Sequence, residues 1–290
     1  MQLCCDATKF GFGLKEAVEF AAAKKLNAVE YAFEPFTGTA KAVKLSAQEK
    51  EHLEEVADAC KSNAVEIASL TLNFCLDPLD KADVKHFEHM TRRLALVATT
   101  VGCKRVTFFM QGSPEDNWAE KAGGALEPAV SSLSADGVKL LLSLATAPSH
   151  RGRPLKQWRP LEPQEWRDLI ANCPGLGLSF SAADCVWQNI DYLKILPGLV
   201  PAIEHVEAND VEINRVLLRD TGIFGPLWWR YRRPGKGQVD WGQLIEALKL
   251  YDYQGTFSIH LDDEFIGEAA DSLEEALDES LKLLNPMFKY

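Results

Sequence analysis

Eight short runs of apolar, β-prone residues alternate with helical patterns along this chain, and this alternation restricts its fold more than any other feature. The predicted strands are Gln2–Asp6, Ala28–Phe33, Glu66–Asn73, Arg105–Met110, Lys139–Leu144, Gly177–Phe180, Ala202–Ala208 and Thr256–Leu261. Strands that alternate with helices form a parallel sheet, and eight such units close into a barrel. We therefore predict an α/β fold, a single (β/α)8 TIM-barrel domain over residues 1–290.

Helical patterns follow the predicted strands. They are Leu14–Lys25, Ser46–Asn63, Val84–Val101, Ala119–Ser134, Glu162–Ala171, Ile190–Leu196, Trp241–Tyr251 and Ser272–Leu284. The second begins with a capping box, because Ser46 stands at the N-cap and Glu49 follows three residues later. In barrels of this kind the loops after the strands form the functional rim, so we expect a small-molecule site there.

Composition restricts the partners. The net charge of −11 disfavours nucleic acid, since binding to phosphates requires clustered Lys and Arg. No run approaches the roughly 18 apolar residues of a membrane span, and the first residues show no signal peptide. The seven cysteines are an odd number without zinc-site spacing, which indicates reduced, mostly buried thiols in a cytoplasmic protein.

Two predicted loops on the rim are long and basic. Ala145–Leu161 carries His150, Arg151, Arg153, Lys156 and Arg159 without an acid. Asn214–Gln238 carries Arg215, Arg219, Arg230, Arg232, Arg233 and Lys236 against Asp220, together with Phe224, Trp228, Trp229 and Tyr231. One interpretation is a lid that holds an anionic or polyhydroxylated molecule through Trp228, Trp229, Arg230 and Arg232. The other is a subunit interface, as in a homodimer, and both can hold together.

Several stretches resemble a known family. They are Leu14–Tyr31 (LKEAVEFAAAKKLNAVEY), Leu72–Pro78 (LNFCLDP), Leu176–Tyr192 (LGLSFSAADCVWQNIDY), His205–Ile213 (HVEANDVEI) and Trp228–Trp241 (WWRYRRPGKGQVDW). In order and over nearly the whole chain, they are similar to the xylose-isomerase-like barrels, the sugar phosphate isomerase/epimerase group. That group shares its fold with endonuclease-four type DNA-repair enzymes.

The resemblance implies a divalent metal at the barrel mouth, held by Glu, Asp, His and Glu after strands five to eight. The metal orients hydroxyl groups while carboxylates move protons beside a carbonyl. This sequence has other residues at all four positions, which are Ser143, Ser181, Glu207 and His260. Glu207 replaces the second His of the family pattern His-Val-His-Ala-Lys-Asp. Asp184 stands where the family often has a histidine just outside the metal.

Strand alternation places several polar side chains on inward faces, because side chains point to opposite sides at successive positions. His205 and Glu207 share one face of the seventh strand, and His260 lies on the polar face of the eighth. We predict a substrate site formed by Ser143, Ser181, Asp184 and His205 together with the four lid residues. Ordinary polarity at exposed strand ends is the simpler alternative.

Three hypotheses about chemistry remain open. In the first, the protein is a metal-free pseudoenzyme that binds a sugar or sugar phosphate, because two serines replace two metal-binding carboxylates. In the second, Asp184, Glu207 and His260 form a rewired site for Mn, Zn or Mg. In the third, Glu207 and His260 act as a metal-free acid–base pair in an active isomerase or epimerase. A DNA-repair role is disfavoured, since the mouth offers too few His and Asp ligands and the chain is acidic.

Overall fold

The computed structural model describes residues 1–34, 43–112, 115–147, 151, 162–267 and 270–288. The strands are β1 (Gln2–Asp6), β2 (Ala28–Ala32), β3 (Glu66–Leu76), β4 (Arg105–Met110), β5 (Lys139–Ser143), β6 (Gly177–Ser181), β7 (Ile203–Ala208), β8 (Asp210–Ile213), β9 (Trp229–Arg232) and β10 (Thr256–Ile259). Eight of them, β1 to β7 and β10, are parallel and form a closed barrel in chain order. The predicted (β/α)8 barrel is therefore confirmed, with strand ends within three residues of the predicted ones.

Ten helices accompany the strands in the described residues. They are α1 (Leu14–Ala23), α2 (Ala47–Asn63), α3 (Lys81–Val101), α4 (Trp118–Ala135), α5 (Pro163–Asn172), α6 (Ala182–Trp187), α7 (Tyr192–Ile195), α8 (Arg215–Thr221), α9 (Trp241–Leu250) and α10 (Ala270–Phe288). The capping box predicted at Ser46 is present, because Ser46 accepts from the Glu49 amide and the Glu49 carboxylate accepts from the Ser46 amide. None of these helices combines the length and the apolar character needed to cross a membrane.

The two faces of the barrel strands have different roles. Outward side chains such as Leu140, Leu142 and Phe180 are buried in the main hydrophobic core with the helices. Inward side chains change character along the barrel. Small residues, Cys4 and Ala28, pack in a separate cluster, and polar residues follow toward the carboxyl ends of the strands. The core between strands and helices thus holds the barrel closed and leaves its inner carboxyl end for polar groups.

The second long loop contains more structure than the sequence suggests. β8 and β9 pair in antiparallel register, and α8 lies between them in the chain. Asp210 anchors the segment that returns to the barrel, since its carboxylate accepts from the amides of Gly235 and Val239 and from the Trp241 indole. Each of these strands has only four residues, and α8 separates them in the chain. Local periodicity therefore does not reveal them.

The first long loop falls mostly outside the described residues. Only residues 145–147 and Arg151 are described, while His150, Arg153, Lys156 and Arg159 lie outside them. Of the basic residues predicted to form a lid after β5, Arg151 is therefore the one that the structure describes.

Candidate functional site

Glu30 is the centre of a buried polar cluster inside the barrel. It projects from β2 and is 2% exposed. Its Oε2 atom lies 3.0 Å from Nε2 of His205 and 2.8 Å from Nε2 of His260. Its Oε1 atom accepts a hydrogen bond of 2.7 Å from the Thr71 hydroxyl. Closure of the barrel thus gathers side chains from β2, β3, β7 and the residue after β10 around one carboxylate.

The two histidines are held from behind as well. The Nδ1 atom of His205 lies 2.5 Å from the Thr256 hydroxyl. The Nδ1 atom of His260 lies 3.8 Å from the Asp262 carboxylate. Asp262 in turn binds Arg151 at 2.8 Å and Lys9 at 2.7 Å. A chain of polar contacts therefore runs from the rim of the barrel to its interior.

This arrangement changes the proton affinities of its members. Burial alone would raise the pKa of Glu30, but the positive charge of His260 and the hydrogen bonds to the two histidines hold it well below its usual range. Burial would lower the pKa of His260, but Glu30 and Asp262 on its two sides raise it well above the usual value. We infer that His260 is an imidazolium between two carboxylates at neutral pH.

Two further carboxyl groups lie near this charge. Burial raises the pKa of Asp6, at the end of β1, and the negative charge of Glu30 adds to that rise. Burial and the charge of Glu30 likewise raise the pKa of Glu207, against the lowering effect of His260. The interior of the barrel therefore holds more carboxyl groups than one imidazolium can neutralise.

Glu207 is bound by serine hydroxyls. Its Oε1 atom accepts from Ser143 on β5 at 2.6 Å and from Ser179 on β6 at 2.7 Å. It is buried, as the alternation of β7 predicts. Thus Ser143, which stands where the resemblance implies a carboxylate ligand, instead donates a hydrogen bond to Glu207, which stands at the third of the four positions.

Asp184 is also fully engaged. Its carboxylate accepts from the hydroxyls of Ser181 at 2.6 Å, Thr146 at 2.7 Å and Tyr231 at 2.6 Å. It also accepts from the Trp187 indole at 3.0 Å. Burial and the charge of Asp184 raise the pKa of Tyr231 well above its usual value, so the phenol remains a donor. Asp184 therefore ties the loop after β5, the helix after β6 and β9 together.

The metal that the resemblance implies does not fit the residues at its four positions. Hard divalent cations require several anionic oxygens, and two positions carry neutral hydroxyls that are bonded to Glu207 and Asp184. Asp184, Glu207 and His260, the residues of the rewired arrangement, do not form such a ligand group among the described residues, and a metal there stays a prediction. Within the described ranges, the group whose possible ligand atoms all lie within 4.8 Å of one another is Glu30, His205 and His260.

The two residues of the predicted acid–base pair have different hydrogen-bond partners, and their catalytic role stays a prediction. His260 hydrogen-bonds to Glu30, whereas Glu207 bonds to the two serines. Sequence reasoning did not single out Glu30. The available signal was the alternation of Ala28, Glu30 and Ala32, which places one acid on the inward face of an otherwise apolar strand.

A cavity of about 200 Å³ opens at the mouth of the barrel. It is lined by Arg151, Leu227, Trp229, Arg230, Tyr231, Asp262 and Glu264. Trp229 stacks on Trp187 with ring centres 4.6 Å apart. Trp228 is buried and donates its indole proton to the Ile223 carbonyl, and it is not among the described residues that line the cavity. Of the predicted lid residues, Trp229 and Arg230 thus reach this space.

The arginines of the lid are paired with acids. Arg230 binds Glu212 at 3.0 Å and Glu264 at 3.1 Å, and it lies 4.3 Å from the Phe265 ring centre. Arg232 binds Asp263 at 3.1 Å and also contacts Glu212. The expectation of arginine forks open to an anionic ligand is therefore not met by these two side chains in this conformation.

The alternative role of this loop, a subunit interface, stays a prediction. Val216, Ile223, Phe224 and Leu227 expose more than half of their surface. Exposed apolar side chains of this kind occur at protein contacts and at ligand entrances alike.

The sequence model of the xylose isomerase-like TIM barrel family matches residues 18–287. The chain belongs to the xylose isomerase-like TIM barrel family. Among curated proteins none matches the chain.

Several solved structures share the fold of this xylose isomerase-like barrel. A probable 3-DHS dehydratase from Bacillus anthracis has 15% identity and a TM-score of 0.73, covering 98% of this chain and 99% of that one. A D-allulose 3-epimerase from Methylomonas sp. in complex with D-allulose has 13% identity and a TM-score of 0.69, covering 99% and 97%. A sugar phosphate isomerase/epimerase from Parabacteroides distasonis has 12% identity and a TM-score of 0.66, covering 99% and 96%. At these identities the similarity establishes the fold alone.

Proposed function

We propose that this chain binds a small, uncharged, sugar-type molecule in the cavity at the barrel mouth and does not carry out the family's metal-dependent isomerase chemistry. The observation that carries the proposal is the bonding of Glu207 by Ser143 and Ser179. Two neutral hydroxyl groups thus stabilise the Glu207 carboxylate through hydrogen bonds. In the family a metal ion is expected at this place instead.

The cavity supports a small ligand. Its volume of about 200 Å³ is below the roughly 300–1,000 Å³ of sites for drug-sized molecules, and its lining combines aromatic and polar side chains. Trp229 and Tyr231 offer apolar surface for the carbon atoms of a sugar ring. Asp262 and Glu264 offer acceptors for hydroxyl groups.

The charge of the cavity supports an uncharged ligand. Its two arginines are matched by its two acids, and Arg151–Asp262 and Arg230–Glu264 are ion pairs within the lining itself. A phosphate group would have to displace these carboxylates before an arginine could bind it. Of the two ligand types that the sequence left open, we therefore favour the sugar over the sugar phosphate.

Asn209 offers a separate place for a hydroxyl group, because it is not among the described residues that line the cavity. It follows β7 and is fully buried, yet both polar atoms of its amide lack a hydrogen-bond partner. An unpaired buried amide costs about 1–3 kcal/mol. A hydroxyl group can both donate to its oxygen and accept from its nitrogen.

Isothermal titration with monosaccharides, D-allulose among them, and with the matching sugar phosphates tests the proposal. We expect binding of a neutral sugar that is weakened at least about tenfold by Leu227→Trp, which fills the cavity entrance. Leu250→Trp is the matched control, because Leu250 is a similarly exposed leucine on α9. Tighter binding of a phosphate than of its parent sugar would contradict the uncharged ligand.

Proton NMR in D2O tests the second half of the proposal. We expect no exchange of sugar carbon-bound hydrogen for deuterium, with or without added Mn²⁺. Exchange by the wild-type protein that Glu207→Gln abolishes would instead establish the active isomerase that uses Glu207 and His260.

A further inference from the structure

We propose that Glu30, His205 and His260 form a binding site for one divalent transition-metal ion of the Zn²⁺ type. Only His260 belongs to the four positions implied by the family resemblance. Glu30 and His205 come from other strand positions, so the site is distinct in composition and lies deeper in the barrel.

The three possible ligand atoms converge inside the barrel. Oε2 of Glu30 and the Nε2 atoms of the two histidines all lie within 4.8 Å of one another, and all three side chains are buried. They project from β2, from β7 and from the residue after β10, on separate parts of the chain. Barrel closure alone brings the three atoms together.

Contacts behind the three convergent atoms hold each side chain in place. The remaining polar atom of each residue faces a partner of its own. Thr71 binds Oε1 of Glu30, Thr256 binds Nδ1 of His205, and Asp262 faces Nδ1 of His260. Metal-binding histidines characteristically have their second nitrogen held by a carboxylate or another polar group, which orients the free nitrogen toward the metal.

The ligand types select the metal. Two imidazole nitrogens and one carboxylate oxygen suit Zn²⁺ and its neighbours in the first transition series. Mg²⁺ and Ca²⁺ prefer sites made of oxygen atoms. Three protein ligands also leave at least one coordination position for another group.

The distances allow metal entry with a small adjustment. Metal–ligand bonds of about 2.0–2.1 Å in tetrahedral geometry separate neighbouring ligand atoms by roughly 3.3 Å. The separations here are 2.8 and 3.0 Å, those of the hydrogen bonds that join the residues without a metal. An opening of a few tenths of an ångström lets metal bonds replace the two hydrogen bonds, and each Nε2–H proton in those bonds is released to solvent as the ion binds.

Surrounding charge also favours a cation. The carboxyl group of Asp6 lies beside Glu30, because the two residues are paired in the β1–β2 register. Lys9 and Arg151 bind Asp262 instead. A divalent ion would neutralise this excess at its centre and would link β2, β7 and the end of β10.

The test starts from protein treated with a chelator and then dialysed. We expect titration with Zn²⁺, followed with a competing indicator, to give one ion per chain and a higher unfolding temperature. Titration with Co²⁺ is expected to produce visible absorption from nitrogen coordination. A stoichiometry near zero for both metals would overturn the proposal.

Two variants locate the ion. Glu30→Gln keeps the size of the side chain and removes the anionic ligand, and we expect it to weaken Zn²⁺ binding at least about tenfold. Glu207→Gln removes a nearby buried carboxyl group outside the cluster and is the matched control, with a change of less than about threefold expected. If Glu207→Gln weakens binding as much as Glu30→Gln does, the ion lies at the family position and the proposal is wrong.

Folding of the variants is checked by circular dichroism, and His260→Gln serves as a second ligand variant. An anomalous difference map of wild-type crystals soaked in Zn²⁺ decides independently of any variant. A peak bonded to Glu30, His205 and His260 supports the site, and a peak elsewhere or no peak overturns it. Sugar binding at the mouth is measured separately, so either proposal can fail alone.

Discussion

At the scale of single residues, buried carboxyl groups differ in how they are stabilised. Asp210 accepts from several backbone amides and an indole, and Asp184 accepts from three hydroxyls and an indole. Asp6 is only partly buried and has fewer donors, since among the described residues only the amide and hydroxyl of Thr8 donate to it, and Glu30 lies nearby. The negative charge of an ionised Asp6 is therefore stabilised by fewer hydrogen bonds than that of Asp184 or Asp210.

Asp6→Asn is expected to stabilise the protein at neutral pH. Because burial and Glu30 raise the pKa of Asp6 in the folded state, the folded protein holds this proton more tightly than the unfolded chain does. The ionised form thus costs stability above the folded pKa, and that cost disappears as the pH falls through it. We expect a gain of up to about 1 kcal/mol at pH 7 and a smaller gain near pH 4.5.

Urea unfolding at the two pH values measures this difference. Glu275→Gln, on the exposed part of α10, is the control and should leave stability unchanged at both. A loss of stability at pH 7 in Asp6→Asn would show that the ionised carboxylate is favourable where it stands.

At the scale of elements, those marked by neighbouring residues were predicted from the sequence, whereas a hairpin formed by residues distant in the chain was not. The start of α2 was predicted because Ser46 and Glu49 lie within one helical turn. The β8–β9 hairpin was missed because its strands are short and α8 lies between them. Asp210, which anchors this segment, was visible only as one acid among others in the stretch after β7.

Ser46→Ala is expected to destabilise the protein by about 1 kcal/mol, because the Glu49 amide at the start of α2 loses its acceptor. Glu49 also accepts from the Ser46 amide at 2.7 Å and contacts Arg93, so the box links α2 to α3. Urea unfolding measures the change. Ser134→Ala, at an exposed position near the end of α4, should change stability by less than about 0.5 kcal/mol. Equal effects in the two variants would mean that the box contributes nothing.

At the scale of the whole molecule, the burial of the seven cysteines indicates how completely the barrel excludes solvent. All seven are free thiols, and five of them are buried. Burial raises the pKa of Cys103 and of Cys173 to about 11 and that of Cys75 to about 12. Thiolates, the reactive form, are therefore rare at neutral pH.

Alkylation with iodoacetamide at pH 8 is expected to be slow in the native protein and complete in the unfolded chain. Cys60 should react first, because it is one of the two partly exposed cysteines and burial raises its pKa less than that of Cys75. Mass spectrometry of the modified protein counts the labels. Cys60→Ser should remove the fastest label; rapid labelling of several sites in the native protein would contradict the closed core.

The amino-acid sequence by itself determined the barrel, the order of its strands and the inward position of His205, Glu207 and His260. Those features depend on periods of two and 3.6 residues, which neighbouring positions reveal. The tertiary structure alone decided which groups meet inside. Glu30 binds His205 across 175 residues and His260 across 230, and Arg230 and Arg232 meet acids that local patterns do not pair with them. The charge state and the bonding capacity of each side chain follow from those neighbours, and only closure of the barrel brings them together.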